Sequence, residues 1–293
     1  MILEYTVKEN NQYINLKDLL KNYFSISDRL LVKLKHEQKL FVNNQKAFVD
    51  MQLNTGNIVT IHIDFIEDNS NIVATKMPLN IVYEDNALLV INKSAKTPVH
   101  PSMDHFEDSL SNGVKYYFDE IGLQKKIRPV NRLDKDTSGL VVFAKNEYIQ
   151  ECLIKQMQTK KFVKEYIAIC EGVFENNKGT INAPIARKND SIIERCVSEN
   201  GDTAITHYEV LKAANNYSVV KCILETGRTH QIRVHMAHIG NPLLGDTLYG
   251  TSSPLISRQA LHAYKISFIH PITRKKLELT ADIPEDIDFY VKK

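Results

Sequence analysis

Two polar clusters in this 293-residue chain contain residues able to do chemistry. The first is Asn131-Arg132-Leu133-Asp134-Lys135-Asp136-Thr137-Ser138-Gly139-Leu140, in which an acid stands between a basic residue and a Thr-Ser-Gly turn. It runs into Leu140-Val141-Val142-Phe143-Ala144, a short β-branched and aromatic stretch that reads as a buried strand. Asp134 is thus expected on a tight loop braced by a core strand, where a rigid scaffold can present one reactive side chain. The hydroxyls of Thr137 and Ser138 can bond the local backbone and so aim that acid. The second cluster is Thr226-Gly227-Arg228-Thr229-His230-Gln231-Ile232-Arg233-Val234-His235, which offers the cations such an acid needs. Gln231, Arg233 and His235 alternate with Ile232 and Val234, which predicts a strand carrying those three on one face. Arg228, in the Gly227 turn, is suited to meeting a phosphate. His230, His235 and His238 lack an accompanying acid at ligand spacing, so no metal site is expected.

The elements that must position these clusters can be read from periodicity. Apolar positions 16, 19, 20, 23 and 24 have helical spacing, and Arg29–Lys35 suggests a second helix with Ser27 or Asp28 as its N-cap. A short strand at Leu40–Val42, the Asn43-Asn44 turn and an alternating strand at Ile58–Ile63 complete a small first domain, residues 1–66. Polar residues 67–77 read as a linker. The remainder, 78–293, opens with two apolar runs flanking Asp85-Asn86, a hairpin signal. A helix follows from Ser109 to Glu120 with the stripe Leu110, Val114, Tyr117 and Ile121, and Gly122 is placed to stop it. The acid loop and its strand come next, then a helix over Glu147–Thr159. Strands are expected at Tyr166–Cys170, Ala204–Leu211, Ser218–Leu224 and Ala263–Phe268. Strands dominate, with a few helices interspersed, so the fold class is α+β with a mixed, largely antiparallel sheet.

Composition narrows the possibilities. Hydrophobic residues make up 43% and charged residues 25%, ordinary for a globular protein with a real core. A formal net charge of +2 is too small to argue nucleic-acid binding by itself. No run of about 18 apolar residues occurs, so no membrane helix is expected. The N-terminus lacks a basic start followed by an apolar block and is not expected to be a signal peptide. Cys152, Cys170, Cys196 and Cys222 are widely spaced, which fits a reducing cytosol better than a disulfide framework.

The two clusters together resemble the RluA/RluD family of pseudouridine synthases. Lys164-Glu165-Tyr166-Ile167-Ala168, Ala183-Pro184-Ile185-Ala186-Arg187, Gly245-Asp246-x-x-Tyr249-Gly250 and Leu261-His262-Ala263 add to the resemblance. It implies an enzyme that breaks the glycosidic bond of a uridine in RNA and rejoins the uracil through carbon 5. Asp134 matches the family's catalytic aspartate, which must be ionised to attack or to stabilise the sugar cation. A carboxylate inside a base pocket drifts toward its neutral form, and a buried cation opposite it restores the charge. The family's ion-pairing basic residue matches Arg233, the expected partner of Asp134. Tyr166 matches a ring that packs on the target uracil and helps move a proton. Arg132 matches the arginine that enters the gap left by the extruded base. Arg132, Arg228, His230, Gln231 and Thr137 are expected on the substrate side.

The resemblance implies no cofactor and no metal. It gives RNA as the partner, large-subunit rRNA or tRNA, and a monomer in the cytosol is expected. Residues 1–66 resemble a small RNA-binding module of ribosomal-protein type, with Asp28 where that module carries arginine. Two further departures stand out: Asn131 replaces the family's His, and Lys93-Ser94-Ala95-Lys96 replaces Lys-Pro-x-Gly, which is expected to loosen a loop beside the cleft. They are the basis of an alternative, a non-catalytic RNA-binding or ribosome-assembly factor on a synthase scaffold.

Overall fold

The strand that follows the acid loop runs through the middle of the large sheet. The computed structural model describes residues 1–292. Its N-terminal elements are β1 (Ile2–Thr6), α1 (Leu16–Asn22), α2 (Asp28–His36), β2 (Leu40–Val42), β3 (Gln45–Lys46) and β4 (Ile58–His62). There follow β5 (Ile81–Glu84), β6 (Leu88–Lys93), α3 (Leu110–Glu120), β7 (Ser138–Ala144), α4 (Glu147–Gln158), β8 (Val163–Glu171), β9 (Lys178–Asn182), β10 (Ile185–Arg187) and β11 (Arg195–Val197). The chain closes with β12 (Ile205–Ala213), β13 (Tyr217–Leu224), α5 (Gln231–His238), β14 (Leu261–Ile269), β15 (Lys276–Thr280) and α6 (Glu285–Lys292).

The large sheet has the order β5-β6-β7-β14-β8-β13-β12-β9, with β15 added on β14. β7 is buried along its whole length, as its apolar sequence requires. It pairs antiparallel with β6 and parallel with β14. Every other strand pairing among the described residues is antiparallel, so the sheet is mixed and largely antiparallel as expected. The β7–β14 contact explains the Thr-Ser-Gly sequence. Gly139 lies opposite Ala263 at φ +115°, and a Cβ there would collide with the Ala263 carbonyl.

The helices α2, α3 and α4 start at side-chain caps. Ser27 accepts from the Leu30 amide, Ser109 and Asn112 form a reciprocal capping box, and Asn146 accepts from the Ile149 amide. In α3 the inward stripe is Leu110, Val114 and Phe118, while Ile121 is exposed. The main correction concerns the second polar cluster. Residues 231–238 are a helix, not a strand. The period-2 pattern misled because α5 is enclosed on all sides: Gln231 through Met236 are all buried. Such a helix carries no polar face to give a 3.6-residue signal.

The N-terminal strands form their own antiparallel sheet, β1-β4-β2-β3, covered by the leucines of α1 and α2. Its core is continuous with the large sheet. Leu30, Leu34 and Phe65 belong to the same buried cluster as Leu88, Val142, Tyr148 and Ile266. Polar contacts close the seam: the Tyr148 hydroxyl donates to the Phe24 carbonyl at 3.1 Å, Ser27 Oγ to Glu151 at 2.7 Å and Lys33 Nζ to Glu147 at 2.8 Å. The segment read as a linker lacks regular structure but is tied down. Arg128 grips Glu67 with two hydrogen bonds of 2.6 and 2.5 Å, and Asn112 Nδ2 donates to the Val73 carbonyl at 2.8 Å.

Burial pushes the Glu67 carboxyl up, but the hydrogen bonds and charge of Arg128 outweigh it and hold it below its ordinary value. A carboxyl depressed in the folded state contributes stability above its unfolded pKa, and that stability is lost as pH falls through the folded pKa. Glu67→Ala is therefore expected to lower stability in urea unfolding at pH 7 by roughly 3 kcal/mol. The difference from wild type should shrink as pH falls below about 4.

Candidate active site

The acid loop is a turn, closed by the Thr137 amide donating to the Asp134 carbonyl at 3.1 Å. Side chains from within the loop and from distant elements hold it. Asn131 Nδ2 donates to the Leu140 carbonyl at 3.0 Å, and its Oδ1 accepts from the Val142 amide at 2.9 Å. Lys93, 1% exposed, donates to the carbonyls of Ser94 and Thr97 at 2.8 Å and of Lys135 at 2.9 Å. Burial pushes the Lys93 pKa down to about 7, yet three acceptor carbonyls call for three N–H protons. Arg258 Nη1 donates to the Asp136 carbonyl at 3.1 Å, while Asp286 on α6 holds that guanidinium by two bonds of 2.7 and 2.8 Å. Gln259 Nε2 donates to Thr137 Oγ1 at 3.3 Å. The Lys93–Lys96 loop, expected to be loose, is thus tied through Lys93, although Lys96 takes a left-handed φ of +66°.

Asp134 faces a cavity of about 810 Å³ whose lining includes Arg132, Tyr166, Arg228, His230 and Arg233. That volume admits a nucleoside-sized ligand. Arg233 Nη1 lies 3.5 Å from Asp134 Oδ2. The same guanidinium is anchored by Asp246, whose carboxylate accepts from Nε at 2.7 Å and Nη2 at 2.8 Å. Asp246 also accepts from the Leu248 and Tyr249 amides, and the guanidinium sits 5.0 Å from the centre of the Tyr249 ring. Burial works against the charge on Arg233, but Asp246, with Asp134 adding, outweighs it and raises the pKa further.

His230 approaches the same Asp134 oxygen, with Nε2 4.0 Å from Oδ2 and Nδ1 2.8 Å from the Tyr249 hydroxyl. Its backbone is left-handed at φ +59°. Tyr166 is 5% exposed, and its hydroxyl has no protein partner among the described residues. Burial, with Asp134 adding, pushes the phenol well above its ordinary pKa, so it keeps its proton. Arg132 Nη2 donates to Thr229 Oγ1 at 3.2 Å. Arg228 is half-exposed, bonded to the Thr203 carbonyl at 3.0 Å and paired with Asp202 at 3.3 Å. Arg132, Arg228, Arg187 and Arg195 line a second cavity of about 410 Å³ that adjoins the first.

Two residues expected on the substrate side, Gln231 and Thr137, line the cavity but also bond to protein. The Gln231 amide accepts from Thr226 Oγ1 and the Arg228 amide, and donates to the Ile205 carbonyl and Thr206 Oγ1, which uses its full capacity on protein. Thr137 is 2% exposed, and its hydroxyl meets Gln259. Because 231–238 is helical, Gln231 and His235 share a face toward Thr206 and Arg233 points elsewhere. His235 bonds Thr206 and the Ala183 carbonyl, so the three histidines do not converge on one point. Sequence reasoning gave no role to Asp246, Tyr249, Lys93 or Arg258. The signal was present for the first two in Gly245-Asp246-x-x-Tyr249-Gly250, which entered only as part of the family resemblance.

Residues 87–238 match the family model described as RNA pseudouridylate synthase. Over 97% of its length the chain is 39% identical to "Uncharacterized RNA pseudouridine synthase YhcT" of Bacillus subtilis, covering 95% of that protein. It is 36% identical to "Ribosomal large subunit pseudouridine synthase D" of Blochmanniella floridana, over 89% of this chain and 91% of that one. Among solved structures, human RNA Pseudouridylate Synthase Domain Containing 4 superposes with a TM-score of 0.59 at 25% identity, over 73% of this chain and 92% of that one.

The two carboxylates on Arg233 should differ in weight. Asp246, fully buried at its side chain, leaves a buried cation uncompensated when removed, so Asp246→Ala is expected to cost roughly 3 kcal/mol or more in urea unfolding. Asp134, 26% exposed at its side chain and at longer range, should cost under about 1 kcal/mol as Asp134→Ala.

Proposed function

Since this chain belongs to the RNA pseudouridylate synthase family and so isomerises uridine in RNA, we propose that Asp134 is its nucleophile and large-subunit ribosomal RNA its substrate. The observation that carries the nucleophile is one carboxylate facing a nucleoside-sized cavity with a guanidinium 3.5 Å away. The ribosomal assignment rests on relatives named as large-subunit synthases.

In this proposal the carboxylate attacks C1′ of the flipped uridine as the N1–C1′ bond breaks. The uracil stays in the pocket against Tyr166 and turns to bring C5 over C1′. The C5–C1′ bond then forms as the carboxylate leaves; the C5 proton departs and N1, freed of the sugar, takes one up, so the product is an isomer of the uridine. Atoms balance without oxidation or reduction. Tyr166 stacks on the base, and its protonated hydroxyl, free in the cavity, is the group that exchanges a proton with it. Arg132, at the mouth between the two cavities, supports the extruded state. Arg228 and the second cavity's arginines meet phosphates. Thr137 and Gln231 act through the loops they hold. Residues 78–293 carry the chemistry, with 1–66 as an accessory RNA-binding module, in a monomeric cytosolic protein. The four cysteines are free, which suits that compartment.

A non-catalytic assembly factor would need the departures at Asn131 and Lys93–Lys96 to have dismantled the site. Asn131 instead stitches the acid loop to β7, and Lys93 caps it.

Total RNA from cells lacking the gene, incubated with the protein and mapped for pseudouridine, tests both halves. New pseudouridine should appear in large-subunit rRNA, and Asp134→Asn should lower its rate by more than about 1000-fold. Modification confined to tRNA would overturn the ribosomal assignment, and an Asp134→Asn protein at wild-type rate would overturn the nucleophile.

A further inference from the structure

We infer that His230 takes part in the reaction as a neutral imidazole, fixed by Tyr249 in the tautomer that carries its proton on Nε2 and points it at Asp134. This deepens the proposal above and rests on Asp134 being the nucleophile.

The tautomer follows from counting donors around the Tyr249 hydroxyl. Among the described residues two groups hydrogen-bond with it. The Arg195 backbone N–H, at 2.8 Å, can only donate. His230 Nδ1 is the other, also at 2.8 Å. A phenol has one proton to give, and burial keeps it on the oxygen. With Arg195 occupying a lone pair, that proton is hydrogen-bonded only if it goes to Nδ1. Nδ1 is then an acceptor, and the ring proton sits on Nε2, the nitrogen 4.0 Å from Asp134 Oδ2. The separation is longer than a hydrogen bond, of the kind that closes when substrate fills a cleft.

Two further observations agree. His230 occupies the N-cap position of α5 with no capping bond from its side chain, so the ring is not there to start the helix. Its left-handed backbone suits Gly or Asn better than His, and strain of this sort gathers where a side chain must be aimed. Burial favours neutrality: together with Arg233 and Arg195 it opposes the cation and outweighs Asp134 and Asp246. A neutral donor steadies the carboxylate without adding a second full charge, which leaves Asp134 more nucleophilic than two cations would.

The test has two readouts. Proton–nitrogen correlation spectra of the full chain with labelled histidine, recorded without RNA, report the tautomer, and His230→Gln identifies the signal by its loss. The expected state at pH 7.5 is Nε2–H, and Tyr249→Phe should abolish that preference. Single-turnover rates on RNA from cells lacking the gene are the second readout. His230→Ala should be slower on the order of 10- to 100-fold. His230→Gln, which keeps an N–H near the same place, should recover most of the loss. A proton on Nδ1 in the wild type, a wild-type rate for His230→Ala, or glutamine no better than alanine would each overturn the inference. The spectra stand apart from the identity of the nucleophile, so a fully active Asp134→Asn protein would sink the earlier proposal without touching the tautomer.

Discussion

One buried guanidinium governs what the acid can do. Arg233 lies between two carboxylates and treats them unequally: Asp246 takes Nε and Nη2, and Asp134 receives only the outer edge of Nη1. The planar fork makes that division possible, since one edge can be fully bonded while a nitrogen faces the other way. A lysine in its place would offer a single point charge to both acids. The longer contact, 3.5 Å, leaves the Asp134 oxygen without a hydrogen bond from that guanidinium. Asp246 also gathers the Leu248 and Tyr249 amides, so the residue that orients the cation orients the aromatic ring beneath it.

The loop beneath Asp134 is fixed through its backbone carbonyls. Lys93 comes from the end of β6, Arg258 from the approach to β14, and Asp286 reaches Arg258 from the last helix. Three segments remote in sequence therefore meet under four residues. Gly139 lets β7 and β14 come close enough for this. Burial and charge assistance make each of these bonds stronger than its exposed equivalent. The strain left in the region sits at Lys96 and His230, the left-handed positions that flank the cleft.

The sequence exposed the acid loop clearly because its signal is local: an acid, a turn and an apolar strand in order. The hairpin of β5 and β6 and the helices α1 to α4 were legible for the same reason, through caps and periodicity. Three kinds of feature were not. α5 looked like a strand because burial on every side erased its amphipathic pattern. The strands β1, β3, β9, β10, β11 and β15 bury at most one residue each, so they gave little apolar signal to read. Asp246 and Arg258 act through pairing with partners that lie 13 and 28 residues away, and no periodicity encodes which acid meets which base. The protein bonds of Gln231 and Thr137 were not legible, because a polar side chain at a cavity wall reads the same in sequence whether or not its hydrogen bonds go to protein.

The seam between the N-terminal sheet and the large sheet has a geometric consequence. Its apolar core is shared, and Ser27, Lys33 and Phe24 are each bonded across it. The first sixty-odd residues thus behave as a caliper jaw rather than a tether. Any folded RNA that touched both them and the cleft would have to present its two contact points at one set spacing and angle. Selection among uridines could then be made by the distance from a distal helix to the flipped base, with no nucleotide letter read at either end.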